Sequence, residues 1–125
     1  METVVIQETD QDILEVLHAA LEMDGFQVYA LREANPDLLD VIEKARPHAV
    51  ILDYRMSGEE CRELCRKIKA RYPHLPVVAI SCNSNIHEVY DQHGFDDYIP
   101  KPFDLDHLYE VLRRYVPKME ETAKG

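Results

Sequence analysis

Long apolar runs are missing from this sequence. The unbroken ones are as short as Ala49-Val50-Ile51-Leu52, far below the roughly 18 residues a membrane-spanning helix needs, so no membrane span or membrane partner is expected. The amino terminus, Met1 to Glu8, lacks a basic region followed by an apolar stretch and a small-residue cleavage site. Secretion is therefore not expected, and a cytoplasmic location is. Cysteine is scarce: Cys61, Cys65 and Cys82 cannot all pair, and free thiols in a reducing compartment fit that count. Cys61 and Cys65 share a face of a helical pattern and could hold a metal with His74 or His87. No second closely spaced pair completes such a site, so it is set aside. Basic residues are also short, 14 against 24 acidic, for a net charge of −10. That balance repels phosphate backbones and anionic lipid heads, so no direct nucleic-acid binding is expected, and solubility alone accounts for most of the acidity. Repeats, low-complexity tracts and linker-like stretches are absent.

What is present is a chain of 125 residues, 46% hydrophobic and 30% charged, enough to bury a core without disulfides or metals. It reads as one domain over 1–125, with a core from about 4 to 116 and a frayed tail over 117–125. Apolar strand runs alternate with helical patterns as βαβαβαβαβα. Val4-Val5-Ile6 begins the first strand. Ile13, Val16, Leu17, Ala20 and Leu21 then recur at helical spacing, with Asp10 or Asp12 as cap and Gly25 as stop. Gln27 to Ala30 is a second strand, and Asn35-Pro36 starts a helix burying Leu38, Leu39, Val41 and Ile42. Ala49 to Leu52 is apolar without alternation, as in a strand covered on both sheet faces. A helix after Ser57-Gly58 turns Leu64 and Ile68 inward, Val77 to Ile80 repeats the buried-strand pattern, and a short polar helix spans Ile86 to Gln92. Asp97-Tyr98-Ile99 is the last strand. Asp104 caps a final helix with an apolar face of Leu105, Leu108, Val111, Leu112 and Val116.

This order implies an α/β fold: a parallel sheet with right-handed crossovers and helices on both faces. Ligands of such sheets sit at the carboxyl ends of the strands. Those ends carry Glu8 and Thr9, Asp53, Ser81 and Lys101. Singly, Asp53 is a turn former or cap, Glu8 a solvated acid, Ser81 a cap, Lys101 a surface charge and Tyr98 a core or edge aromatic. Together, two carboxylates, a hydroxyl and an ammonium at one edge suit phosphoryl transfer to Asp53. A hard cation on the carboxylates would bridge to phosphoryl oxygens, and the lysine would neutralise developing charge.

Val4 to Thr9, Asp10 to Leu14, Ala49 to Asp53, Leu75 to Ser81 and Asp96 to Phe103 resemble the receiver domains of bacterial response regulators, a likeness that runs from about Val4 to Val116. The resemblance implies a doubly wound five-stranded flavodoxin-like sheet of order 2-1-3-4-5 and a cis Lys101-Pro102 bond. It makes Asp53 the phosphoacceptor, Ser81 the hydroxyl that follows the phosphoryl group, Lys101 its counter-charge and Tyr98 the aromatic switch. It also implies Mg2+ held by Glu8, Asp53 and the Arg55 backbone carbonyl. A sensor histidine kinase or phosphotransfer protein is the implied donor, and a downstream protein would bind the face of the fourth helix, fifth strand and fifth helix. Such a domain is a signalling module, not an enzyme in its own right, and a monomer or weak homodimer.

Three departures stand out. Thr9 occupies the place of an acidic metal ligand, which weakens the cation site. Arg55 follows Asp53 by two residues, and its guanidinium is expected to pair with Glu8 or Asp53 in partial replacement of the cation. Met56 to Cys61 lacks the family's proline and final glycine, while Cys82 beside Ser81 is small enough to leave the site open. A haloacid-dehalogenase-like phosphatase would need aspartate where Arg55 stands. A flavodoxin would need a hydroxyl- and glycine-rich loop where Glu8-Thr9-Asp10 stands. The competing reading is a pseudo-receiver, an interaction module with an impaired metal site.

Overall fold

The computed structural model describes residues 1–34 and 37–118, so the helix start expected at Asn35-Pro36 and most of the 117–125 tail lie outside the described residues. Five strands, β1 (Thr3–Gln7), β2 (Gln27–Leu31), β3 (Ala49–Asp53), β4 (Val77–Ser81) and β5 (Asp97–Pro100), form one parallel sheet of order β2-β1-β3-β4-β5. Between and after them run α1 (Gln11–Met23), α2 (Leu38–Ala45), α3 (Glu59–Arg71), α4 (Ile86–Val89) and α5 (Leu105–Tyr115).

Side chains alternate across a strand, so each apolar run divides between two cores. Val4, Ile6, Ile51, Val78 and Ile80 face α1 and α5, meeting Leu17, Leu21, Leu108 and Leu112. Val5, Val50, Leu52, Val77 and Ala79 face the other way, onto Leu38, Ile42, Cys65, Ile68 and Ile86 from α2, α3 and α4. This double coverage explains why the central strands show no polar alternation.

The helices differ from the sequence reading in which residues they bury. In α1 Leu14 is buried and Val16 is 51% exposed, because the helix phase is set by its cap: Asp10 accepts from the Asp12 and Ile13 N–H groups. In α2 Leu38 and Ile42 are the fully buried pair, with Leu39 and Val41 packed at the margin. In α3 the inward residues are Cys61, Cys65 and Ile68, and Leu64 lies only partly buried. In α5 Leu105 is exposed, being the first helical residue after the Asp104 cap. Cys61 and Cys65 thus act as small apolar core residues.

The loop after β3 holds Met56 at φ 54° and Gly58 at φ 75°. A Cβ at position 58 would fall on the Tyr54 ring, so glycine is required there on two counts.

Burial raises the thiol pKa of both Cys61 and Cys65, the latter to about 11, whereas Cys82 is exposed. Titration of the native protein with an aromatic disulfide reagent near neutral pH is expected to modify Cys82 quickly and the other two only after unfolding. Rapid labelling of all three would contradict this packing of α3.

Candidate functional site

Parallel strands put their carboxyl ends on one edge, and register decides which residues meet there. Gln7 is level with Leu31 on one side and Leu52 on the other, while Asp53 is level with Ile80 and Ser81 with Pro100. The residues just beyond those positions are Glu8, Arg32, Tyr54, Cys82 and Lys101, so chain segments far apart in sequence meet at one rim.

Lys101 is the centre of the rim. Its Nζ lies 3.1 Å from Asp53 Oδ1 and 3.2 Å from Glu8 Oε1, with all three side chains largely shielded from solvent. Glu8 Oε2 also accepts the Asp10 N–H at 3.0 Å, and Asp53 Oδ2 accepts the Thr9 N–H at 3.2 Å. Burial raises the Glu8 pKa above the ordinary carboxylate value; the Asp10 N–H opposes this, the Asp53 charge adds to it, and Lys101 opposes it. Burial works to lower the Lys101 pKa, but the Asp53 and Glu8 charges and hydrogen bonds outweigh it, and the net shift is upward.

Ser81 is fully buried on β4. Its main-chain carbonyl accepts the Lys101 N–H at 2.8 Å, which ties the strand end to the lysine. Its hydroxyl accepts the Asn83 N–H at 3.0 Å. Tyr98 is half-buried on β5 with its ring against Tyr90, centroids 4.9 Å apart. The Lys101–Pro102 bond is cis. The structure therefore joins Glu8, Thr9, Asp53 and Lys101 directly and sets Ser81 and Tyr98 on the adjoining strands.

The expected pairing of Arg55 with Glu8 or Asp53 is not formed. Lys101 already occupies both carboxylates, and the Arg55 guanidinium instead reaches Thr9 Oγ1 at 3.5 Å. The Arg55 carbonyl closes a turn by accepting the Gly58 N–H at 2.7 Å.

Several participants escaped the sequence reading. Gln7 donates from Nε2 to the Arg32 carbonyl at 2.9 Å, and its Oε1 accepts the Asp53 N–H at 3.4 Å. Arg32 Nε donates to the Thr9 carbonyl at 3.2 Å. Asn83 Nδ2 holds the Met56 carbonyl at 2.7 Å, and the Tyr54 hydroxyl lies 2.9 Å from His93 Nδ1. The available signal was positional: Gln7 is a polar residue closing an apolar strand, and Arg32 directly follows a strand parallel to β1.

The oxygen donors of Glu8, Asp53 and the Arg55 carbonyl match a hard divalent cation in kind. Among the described residues no group of three or more acidic, histidine or cysteine side chains is placed to hold a metal.

The family model for the response regulator receiver domain matches residues 4–113. The chain is a response regulator receiver domain. The receiver is 31% identical over 121 residues to the DNA-binding transcriptional regulator NtrC of Proteus hauseri, covering 95% of this chain and 25% of NtrC. It is 31% identical over 120 residues to the response regulator MprA of Mycolicibacterium vanbaalenii, covering 91% of this chain and 52% of MprA. The chain thus spans a quarter of one relative and about half of the other. A response regulator from Thermotoga maritima superposes with a TM-score of 0.83 at 26% identity, covering 94% of this chain and 99% of that one. Receivers are signalling domains of two-component systems, not a family of catalytic enzymes. Among the described residues no helix is long and apolar enough to cross a membrane.

A raised Glu8 pKa favours the protonated folded state, so its contribution to stability is full below the ordinary glutamate value and is lost as pH climbs through the raised one. In metal-free buffer Glu8→Gln is expected to gain stability relative to wild type across that window, measured as denaturant midpoints against pH. A relative gain by wild type over the same window would contradict the assignment.

Proposed function

We propose that this receiver takes a phosphoryl group onto Asp53 from the phosphohistidine of a cytoplasmic sensor kinase or phosphotransfer protein. The observation that carries the reading is the contact of Lys101 with Asp53 across 48 residues of sequence, on a carboxylate held almost without solvent exposure. In the transfer a carboxylate oxygen of Asp53 attacks phosphorus as the bond to the donor nitrogen breaks, and Lys101 neutralises charge on the phosphoryl oxygens. Glu8, Asp53 and the Arg55 carbonyl are the residues to hold Mg2+, which when bound supplies further positive charge beside those oxygens; Thr9 makes that site weak.

The switch follows from the same geometry. Ser81 moves its hydroxyl from Asn83 to a phosphoryl oxygen. A cleft of about 270 Å³ bordered by Ser81, Ile86, Tyr98 and Lys101 supplies room for the Tyr98 ring to leave Tyr90 and turn inward. That rotation changes the surface of α4, β5 and α5 offered to a downstream protein.

The neutral Thr9 side chain also favours a second reading, the pseudo-receiver, since it adds no carboxylate to those of Glu8 and Asp53 for holding a cation. Incubation with acetyl phosphate and Mg2+ followed by intact mass measurement separates the two. Wild type is expected to gain one phosphoryl mass and Asp53→Asn none. An unchanged wild-type mass, under conditions that label a control receiver, would favour the pseudo-receiver.

A further inference from the structure

Thr9 is a junction. Its carbonyl accepts Arg32 Nε, its hydroxyl accepts Arg55 Nη1, and its N–H is given to Asp53 Oδ2. Two guanidiniums, one following β2 and one following β3, are therefore anchored on the residue that also touches the acceptor carboxylate. Both are exposed. Among the described residues neither makes an ion pair with a carboxylate, as is also true of Arg46 and Arg62, whereas Arg66, Arg71, Arg113 and Arg114 each do. The neighbouring Asp10 carboxylate is committed to the cap of α1. Each fork donates once to Thr9, so N–H groups remain for another acceptor.

Charge gives these forks a task. Glu8 and Asp53 share one ammonium, so the inner site is net negative toward an arriving phosphoryl group. An added carboxylate at position 9 would recruit a cation; the threonine hydroxyl instead takes the Arg55 guanidinium, beside the Arg32 guanidinium on the main-chain carbonyl of the same residue. Guanidinium N–H groups match phosphoryl oxygens bidentately.

We propose that Arg32 and Arg55, seated on Thr9, form a cradle for phosphoryl oxygens that lets Asp53 be phosphorylated with reduced dependence on a divalent cation. This rests on Asp53 being the acceptor. With acetyl phosphate, an Asp53 oxygen bonds to phosphorus while the bond from phosphorus to the bridging oxygen breaks, its electron pair leaving on acetate. The two guanidiniums neutralise the phosphoryl oxygens throughout.

The test is an intact-mass time course with acetyl phosphate, in EDTA and in Mg2+. It compares wild type, the double variant Arg32→Gln with Arg55→Gln, the matching double Arg→Lys variant, and Thr9→Asp, each checked for folding by its melting curve. In EDTA wild type is expected to label, the double glutamine variant to label about tenfold more slowly or worse, and the lysine variant to recover part of the rate. Thr9→Asp is expected to depend more steeply on Mg2+. A readout independent of turnover is the Thr9 amide resonance during titration with inorganic phosphate in EDTA: a saturating shift in wild type, lost in the double glutamine variant. Equal labelling of wild type and the double glutamine variant in EDTA overturns the cradle. So does wild-type labelling that occurs in Mg2+ and is abolished by EDTA, and in both cases the Asp53 reading stands. Absence of labelling in either buffer overturns both.

Discussion

One ammonium lying between two buried carboxylates is the interaction on which the rest of this structure depends. Lys101 holds Asp53 at 3.1 Å and Glu8 at 3.2 Å, and no other cation pairs with either acid among the described residues. Removing the ammonium would leave two buried carboxylates uncompensated, and breaking a buried ion pair typically costs about 3–5 kcal/mol. Glu8, Asp53 and Lys101 come from the ends of β1, β3 and β5, so the ion group also fixes the relative height of those strands at the functional edge. The Lys101 N–H to Ser81 carbonyl bond carries the constraint into β4.

Around that centre several polar groups converge on Thr9. Thr9 gives its N–H to Asp53, its carbonyl accepts from Arg32, and its hydroxyl oxygen accepts from Arg55 and Gln7. The loop after β3 is held from outside the site as well, by Asn83 on the Met56 carbonyl and by Tyr54 on both the Ser57 carbonyl and His93. Those contacts link the loop after β3 to the segments after β4 and α4.

The alternation of strands and helices was legible because it rests on period, while the strand order came from the resemblance to receivers. Apolar runs such as Ala49 to Leu52 can be buried on both sides only in a sheet covered by helices; Asp53 and Ser81 directly close such runs, and Glu8 and Lys101 stand just past the ends of their strands. Side-chain partnership was not legible, because it depends on distances across elements. Arg55 looked like the natural mate of Glu8 or Asp53 from its spacing, but Lys101 lies closer to both and leaves it Thr9. Arg32 and Gln7 carried only a positional signal at the ends of β2 and β1, and their partners appear only when those strands are laid side by side. Helix phase failed at single residues, Val16 for Leu14 and Leu64 for Cys61 and Cys65, where the caps and the packing partners, not apolar character, decide what faces inward.

The central claim is energetic coupling through Lys101, and a double-mutant cycle on Lys101→Met and Asp53→Asn in metal-free buffer measures it most directly. The account predicts a coupling free energy of about 1 kcal/mol or more from chemical denaturation, since Lys101→Met strands two buried carboxylates in wild type and only Glu8 when Asp53 is already asparagine. Additivity to within roughly 0.5 kcal/mol, the behaviour of independent sites, would contradict it.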